Sequence, residues 1–237
     1  MMLLSQVERR QLAARLRELK REYAPRINEE LLRKYPVWLE RFGEAARTHG
    51  EQDTAYHIDF LASAIETGAP AAFEEYARWT TRMMASRNME PVLLADSLRQ
   101  IPISLAPELD ARQQAVVEKL IAAATEQCVE ENVSEVDPRD ELGDLQSTFL
   151  QAILGGERRA ALQIAVEALE EGMSIEDFYA SVLQECMHTI GWLWETNRIS
   201  VADEHLATAI TQAVMAELYH RVPWHDETRG RVVLTGV

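Results

Sequence analysis

Residues 187–212 read MHTIGWLWETNRISVADEHLATAITQ and predict two helices joined by a short polar turn. The first helix is apolar and rich in aromatic residues. The second begins at Ser200, because a serine followed three residues later by an acidic residue is an acidic variant of the capping box. We therefore expect a helical corner with Trp194 in the last turn of one helix and Glu204 and His205 near the start of the next.

Outside this corner, composition excludes several classes of protein. The 237 residues, 47% of them hydrophobic, suit one large domain or two ordinary ones. No apolar run approaches about 18 residues, so no membrane span is expected. The net charge of −15 disfavours binding of nucleic acid by this chain. The two cysteines lie far apart in sequence, which favours free thiols in a cytoplasmic protein.

Residues 1–135 follow the helical period almost throughout and predict one helical domain of about six helices. Prolines and glycines set the expected boundaries. The expected helices cover about 3–22, the stretch from Pro25 to 49 with a kink at Pro36 and a stop at Gly50, 52–67 with a stop at Gly68, stretches that begin at Pro70 and Pro91, and 108–133 after a break at Pro102 and Pro107. The apolar stripe of the third helix comprises His57, Phe60, Leu61, Ala64 and Ile65.

A polar segment over 134–140 marks the expected domain boundary. Four helices follow within a second domain over 140–222, and their short connections predict an up-down four-helix bundle. The expected helices cover about 141–154, 157–170, 175–196 and 201–221. The final residues 231–237, RVVLTGV, predict the first buried strand of a parallel α/β domain.

The predicted corner gathers residues that could carry chemistry. Val201, Glu204, His205 and Thr208 share one face of the fourth bundle helix, and the turn folds Trp194 back over its start. Polar side chains on an apolar inner face need partners. These residues could therefore line a ligand pocket. Alternatively, Glu204 assists capping, His205 is a boundary residue and Trp194 belongs to the core.

The bundle sequence resembles a known family. The motifs that carry the resemblance are FLQAILGG at 149, ALEEG at 168, SIEDFY at 174, IGWLWE at 190 and ISVADEHLAT at 199. They resemble the four-helix cap that precedes the cobalamin-binding domain of methionine synthases, corrinoid methyltransferase proteins and light-responsive regulators. The W-x9-E-H spacing of Trp194, Glu204 and His205 is similar to that of the photoreceptor branch. The resemblance implies that these residues and Val201 lie over the upper face of the corrin, around the 5′-deoxyadenosyl group.

The same resemblance offers an interpretation of the C-terminal residues 231–237. In that family the cap is followed by a Rossmann-like domain, whose lower-axial histidine lies in an Asp/Glu-x-His-x-x-Gly motif after the first strand. The sequence stops before such a motif, and His220 and His225 lie outside it, so no cobalt ligand is assigned. We therefore expect 231–237 to be the first strand of a truncated domain. A cap without that domain is expected to hold cobalamin weakly or not at all.

The N-terminal domain resembles the globin-like sensor domains of stress-signalling co-antagonist proteins, through YHIDFL at 56 and FEEYARW at 73. Such domains bind a tetrapyrrole or keep no ligand, so His57 is the candidate axial ligand of a haem or bilin, with a core histidine as the alternative. Cys128 is expected to be an inert buried thiol rather than a bilin attachment site. The methionines Met83, Met84 and Met89 are expected to fill the core.

These features together favour a cytoplasmic light sensor with an all-α fold: a globin-like domain, a bundle that covers adenosylcobalamin, and a stub of an α/β domain. We expect a homo-oligomer that acts on a further protein partner, with no membrane or nucleic acid involved, and a sensor is favoured over an enzyme. Two alternatives stay open. The chain could be a corrinoid protein of a methyltransferase system, or a cofactor-free module for dimerisation.

Overall fold

The computed structural model of the chain describes residues 4–128, 137–222 and 230. The chain forms two compact units, residues 1–133 and 134–237. The described residues form helices and no strands, so the predicted all-α class is confirmed. The predicted strand at 231–237 lies outside the described residues, as does the end of the helix predicted over 108–133.

The helices of the first unit pack around one apolar core. Its helices are α1 (Gln6–Lys34), α2 (Val37–Phe42), α3 (Glu44–Thr67), α4 (Pro70–Ala85), α5 (Pro91–Leu105) and α6 (Ala111–Thr125). Pro70 and Pro91 start helices as predicted, because the first helical position needs no N–H partner. Gly68 ends α3 in the left-handed conformation with φ 75°, also as predicted.

Two prolines do not break helices, contrary to prediction. Pro25 lies inside α1 and Pro102 lies inside α5. A proline within a helix removes one backbone hydrogen bond and crowds the preceding turn. In α1 the buried residues Tyr23 and Ile27 flank Pro25 and belong to the same core, so burial of both halves offsets that cost.

Gly50 and Phe60 also differ from prediction. Gly50 lies within α3 rather than at a helix end. A Cβ at this position would collide with the side chain of Asn28 on α1. The glycine allows close approach of the two helices. Phe60 is 47% exposed, although it belongs to the predicted apolar stripe, and its ring stacks on the buried Tyr76 with the centroids 3.9 Å apart.

The second unit contains the predicted bundle. Its helices are α7 (Asp144–Leu154), α8 (Arg158–Glu170), α9 (Ile175–Asp177), α10 (Gln184–Glu195) and α11 (Val201–Leu218), with a π-helical segment (Phe178–Leu183) that joins α9 to α10. All four expected helices are present, with ends that differ from prediction by a few residues. Ser174 and Ser200 cap their helices through side-chain bonds to the amides of Asp177 and Asp203.

The π-helical segment is the feature of the bundle that periodicity did not predict. It widens the third bundle helix within the 175–195 stretch and is followed by regular α-helix. Phe178 at its start is fully buried and meets Phe149 of α7 edge to face, with the ring centroids 5.7 Å apart. The bundle core is therefore anchored on an aromatic pair beside an irregular turn.

Among the described residues, no helix combines the length and apolar character needed to cross a bilayer.

Candidate functional site

The corner between α10 and α11 is fixed by backbone geometry. Asn197 takes the left-handed conformation, with φ 59°. Its amide donates to the carbonyl of Trp194 at 3.1 Å, and the amide of Arg198 donates to the carbonyl of Leu193 at 2.8 Å. This pair of bonds is a Schellman motif with asparagine in place of the usual glycine. The motif ends α10 and sets the path of the chain into α11.

The start of α11 is held by a reciprocal cap. The amide of Asp203 donates to the hydroxyl of Ser200 at 3.2 Å, and the amide of Ser200 donates to the Asp203 carboxylate at 2.9 Å. Hydrogen bonds from the Ser200 side chain and backbone lower the pKa of Asp203. Asp203 therefore stays ionised at the positive end of the helix, and the turn that carries the candidate residues begins at a defined point.

Glu204, His205 and Thr208 form one hydrogen-bonded chain on the surface of α11. One carboxylate oxygen of Glu204 lies 2.5 Å from Nδ1 of His205, and the other accepts from the hydroxyl of Thr208 at 2.9 Å. Both oxygens of Glu204 are thus engaged within the site. The arrangement leaves the far side of the imidazole, with Nε2, directed away from the carboxylate.

This face of α11 points to solvent rather than into the bundle, contrary to the prediction of an inner face. Val201 is 52% exposed, and the side chains of His205 and Glu204 are 75% and 27% exposed. The buried face of α11 is formed instead by Ala207, Ile210, Thr211, Val214 and Leu218. An outward face that carries both apolar and polar groups is suited to contact a ligand or a protein surface outside the bundle.

Trp194 occupies the last turn of α10, and its side chain is partly buried. The structure thus places it at the end of the helix that leads into the corner, as predicted. Val201 lies one turn before Glu204 and His205 on the same helix. A groove of about 820 Å³ lies elsewhere in the unit, against α7 and α8, and is lined by residues other than these four.

A charged contact ties the start of the second unit to the same corner. The Asp137 carboxylate accepts from Arg198 at 2.7 Å and from Arg139 at 2.5 Å. The guanidinium of Arg198 also lies over the ring of Trp192, 4.4 Å from its centroid. Bonds from Arg139, with the added charge of Arg198, lower the pKa of Asp137 to about 2. We call Asp137, Arg139, Arg198 and Trp192 the clasp.

His57, the candidate axial ligand of the first unit, is buried. Its Nδ1 lies 2.7 Å from the hydroxyl of Tyr76, and burial lowers its pKa to about 4. Ligation of haem or bilin by His57 stays a prediction. Cys128 is buried, as expected for an inert thiol, and burial raises its pKa. Within the described residues, no group of three or more His, Cys, Asp or Glu side chains is placed to hold a metal ion.

Comparison with known proteins bears on the bundle. Residues 145–219 match a family model described as a B12 binding domain. The match supports a cobalamin-type cofactor for this unit. It spans α7 to α11 and therefore includes Trp194, Val201, Glu204 and His205. No curated protein and no solved structure matches the chain.

Two features of the corner in this bundle were missed from the sequence. Thr208 was predicted on the same face as Glu204, but the hydrogen bond between their side chains was not. A threonine four residues after Glu204 and three after His205 lies within reach of both, which is a signal that helical geometry offers. The clasp between Asp137 and Arg198 joins residues 61 positions apart, and no local pattern indicates such a pair.

Proposed function

We propose that this protein is a cobalamin-dependent light sensor in which the bundle covers the upper face of adenosylcobalamin. One observation carries the proposal. Within a segment that matches a B12 binding domain, Glu204 and His205 form a hydrogen-bonded pair on an outward face of α11. Polar groups held in this way on an open face are suited to contact a polar ligand rather than to stabilise the bundle.

The side chains present fit the adenosyl group chemically. The ribose of that group carries hydroxyls and the adenine carries an amino group, so the ligand offers several donors and acceptors. Glu204 supplies a carboxylate acceptor, His205 supplies a ring nitrogen, and the exposed Val201 supplies an apolar surface. Trp194 at the corner adds an aromatic surface. A methyl group would use none of the polar partners.

Adenosylcobalamin, when bound, supplies a cobalt–carbon bond that light can break. The role of Glu204, His205 and Val201 is then to bind and orient the adenosyl group in the dark. When that group leaves, these contacts are lost. The side chains on the surface of α11 are then free to contact other groups. We propose that this difference changes the assembly of a cytoplasmic homo-oligomer or its contact with a protein partner.

The test is the absorption spectrum of the full-length protein reconstituted with adenosylcobalamin, before and after green light. We expect binding in the dark and a spectral change on illumination. The double substitution Glu204→Gln, His205→Gln should weaken binding, whereas Glu217→Gln on the same helix, which pairs with Arg158, should not. Absence of binding, or a spectrum that light leaves unchanged, would rule out the proposal.

The corrinoid methyltransferase alternative predicts a different result in the same assay. Equal affinity for methylcobalamin and adenosylcobalamin, with no loss in the double variant, would favour it. A protein that remains colourless and keeps one oligomeric state with either cobalamin would favour the cofactor-free module. The three outcomes are distinct, so one set of titrations separates the functions.

A further inference from the structure

The contact between Glu204 and His205 is unusual for a helix. Adjacent residues point about 100° apart around the helix axis, and side chains at i and i+1 do not face each other. Nevertheless, a Glu204 carboxylate oxygen lies 2.5 Å from Nδ1 of His205. Both side chains must lean toward one another, so a third group is needed to hold the carboxylate in that orientation.

Thr208 is placed to be that group. Its hydroxyl donates to the second carboxylate oxygen of Glu204 at 2.9 Å. Most other helical threonines in the described chain donate to the backbone carbonyl four residues earlier, as Thr189 does to Glu185 and Thr211 does to Ala207. Thr208 has Glu204 four residues earlier as well, but its hydroxyl bonds the side chain rather than the carbonyl. The usual local bond of a helical threonine is therefore exchanged for one within the site.

We infer that Thr208 is a positioning residue, which orients Glu204 so that His205 carries its proton on Nδ1 and presents Nε2 as an acceptor. A neutral imidazole has one donor and one acceptor nitrogen, and the partner of one nitrogen sets the role of the other. With a carboxylate on Nδ1, that nitrogen must be the donor. Nε2 then faces outward with its lone pair.

This inference rests on the proposed function only for the identity of the ligand that Nε2 meets. An outward acceptor is matched by the hydroxyl and amino donors of an adenosyl group, and a methyl group offers no such donor. Thr208, which need not touch the ligand, thereby contributes to selection of adenosylcobalamin over methylcobalamin.

The first experiment tests the positioning without any cofactor. The ring nitrogens of ¹⁵N-histidine-labelled protein report the tautomer of each neutral histidine by NMR, and His205→Gln assigns the signal. We expect the Nδ1–H form in wild type, a shift toward the Nε2–H form in Thr208→Val and Thr208→Ala, and restoration in Thr208→Ser. Thr211→Val on the same helix, which removes only a bond to a backbone carbonyl, should leave His205 unchanged.

A tautomer that stays the same in Thr208→Val and Thr208→Ala would overturn the inference, whatever the protein binds. Circular dichroism of each variant confirms that the helices are retained. Because this measurement needs no cobalamin, its outcome is independent of the proposed function.

The second experiment measures selectivity in the full-length protein. The Kd for methylcobalamin divided by the Kd for adenosylcobalamin should fall about tenfold in Thr208→Val, because His205 no longer presents an oriented acceptor and one hydrogen bond to the adenosyl group is lost. Thr208→Ser should recover most of this ratio. An unchanged ratio with a changed tautomer would overturn the selectivity step. If wild type binds neither cobalamin, the proposed function fails, while the NMR result still decides the role of Thr208.

Discussion

His57 is a histidine that the fold keeps neutral. It is 6% exposed, its Nδ1 is bonded to the Tyr76 hydroxyl, and burial lowers its pKa to about 4. Burial also raises the pKa of Tyr76, so the hydroxyl keeps its proton. A charged imidazole in this setting would lose its hydration without gaining an opposite charge. The pair therefore couples stability of the first unit to pH.

The expected effect has a definite sign. The unfolded chain takes up a proton near the ordinary histidine pKa of 6.5, whereas the folded chain resists protonation until about pH 4. The contribution of His57 to stability is thus complete above pH 6.5 and is lost as the pH falls toward 4, at roughly 1.4 kcal/mol per pH unit. Denaturant unfolding of the wild type should lose stability over this range more steeply than that of His57→Asn.

The control for this prediction is Tyr76→Phe, which removes the hydroxyl that contacts Nδ1 of His57 and keeps the buried imidazole. It should retain a pH dependence about as steep as that of the wild type. Equal slopes for the wild type and His57→Asn between pH 6.5 and 4 would contradict the assignment of a neutral buried His57.

At the level of single residues, sequence spacing was sufficient to select Glu204 and His205 but not to orient them. Residues at i, i+3 and i+4 share a face on any helix. Which face is buried depends on where the other helices pack, and here Ala207 and Thr211 take the core side. The outward position of Val201 and the bond from Thr208 follow from that packing and from side-chain rotamers, which one-dimensional periodicity does not encode.

At the level of secondary-structure elements, the clasp connects two segments that are distant in sequence, and this connection can be tested. Asp137 connects the 138–141 turn to the loop between α10 and α11, because its carboxylate accepts from both Arg139 and Arg198. The amide of Arg198, in turn, forms part of the Schellman motif of the corner. Loss of the carboxylate should therefore loosen the corner as well as the turn.

We expect Asp137→Asn to increase hydrogen exchange at the amides of Asn197 and Arg198, measured by NMR near neutral pH. Because hydrogen bonds from Arg139, with the added charge of Arg198, lower the pKa of Asp137 to about 2, the contribution of this carboxylate is present above about pH 4 and is lost as the pH falls toward 2. Wild-type exchange, normalised for its intrinsic rate, should approach that of the variant only in this acidic range. Glu141→Gln, in the same short turn, should leave the corner amides unaffected, and protection unchanged in Asp137→Asn would show that the clasp does not hold the corner.

The ends of helices were predictable wherever the terminating residue acts locally. Gly68, Pro70 and Ser200 occupy the terminal positions that their chemistry favours. Pro25 and Gly50 were misread, because at both sites packing between α1 and α3 outweighs local preference. The π-helical turn had no signal in the sequence, since it changes the pitch of a helix without changing the residue types it prefers.

For the whole molecule, the distribution of apolar residues defines two separate cores. Among the described residues, one core draws its buried residues from positions 4–128 and the other from positions 149–218, and none of these residues belongs to both. Phe73, 1% exposed, is a large side chain of the first core, and Phe149, fully buried, is one of the second. Each compact unit thus contains the hydrophobic surface that its own cooperative unfolding requires.

This division predicts reciprocal effects for a matched pair of substitutions. Phe149→Ala and Phe73→Ala each remove a buried phenyl ring and should destabilise their own unit by about 3–5 kcal/mol. Hydrogen exchange followed by mass spectrometry resolves the two units in the intact chain. We expect Phe149→Ala to lower protection across α7 to α11 while peptides from α1 to α6 keep wild-type protection, and Phe73→Ala to do the reverse. If either substitution lowers protection equally in both sets of peptides, the chain unfolds as one cooperative body. Separation of the two effects would instead mean that the two units unfold independently, so that ligand binding to the bundle should raise protection across α7 to α11 and leave that of α1 to α6 unchanged.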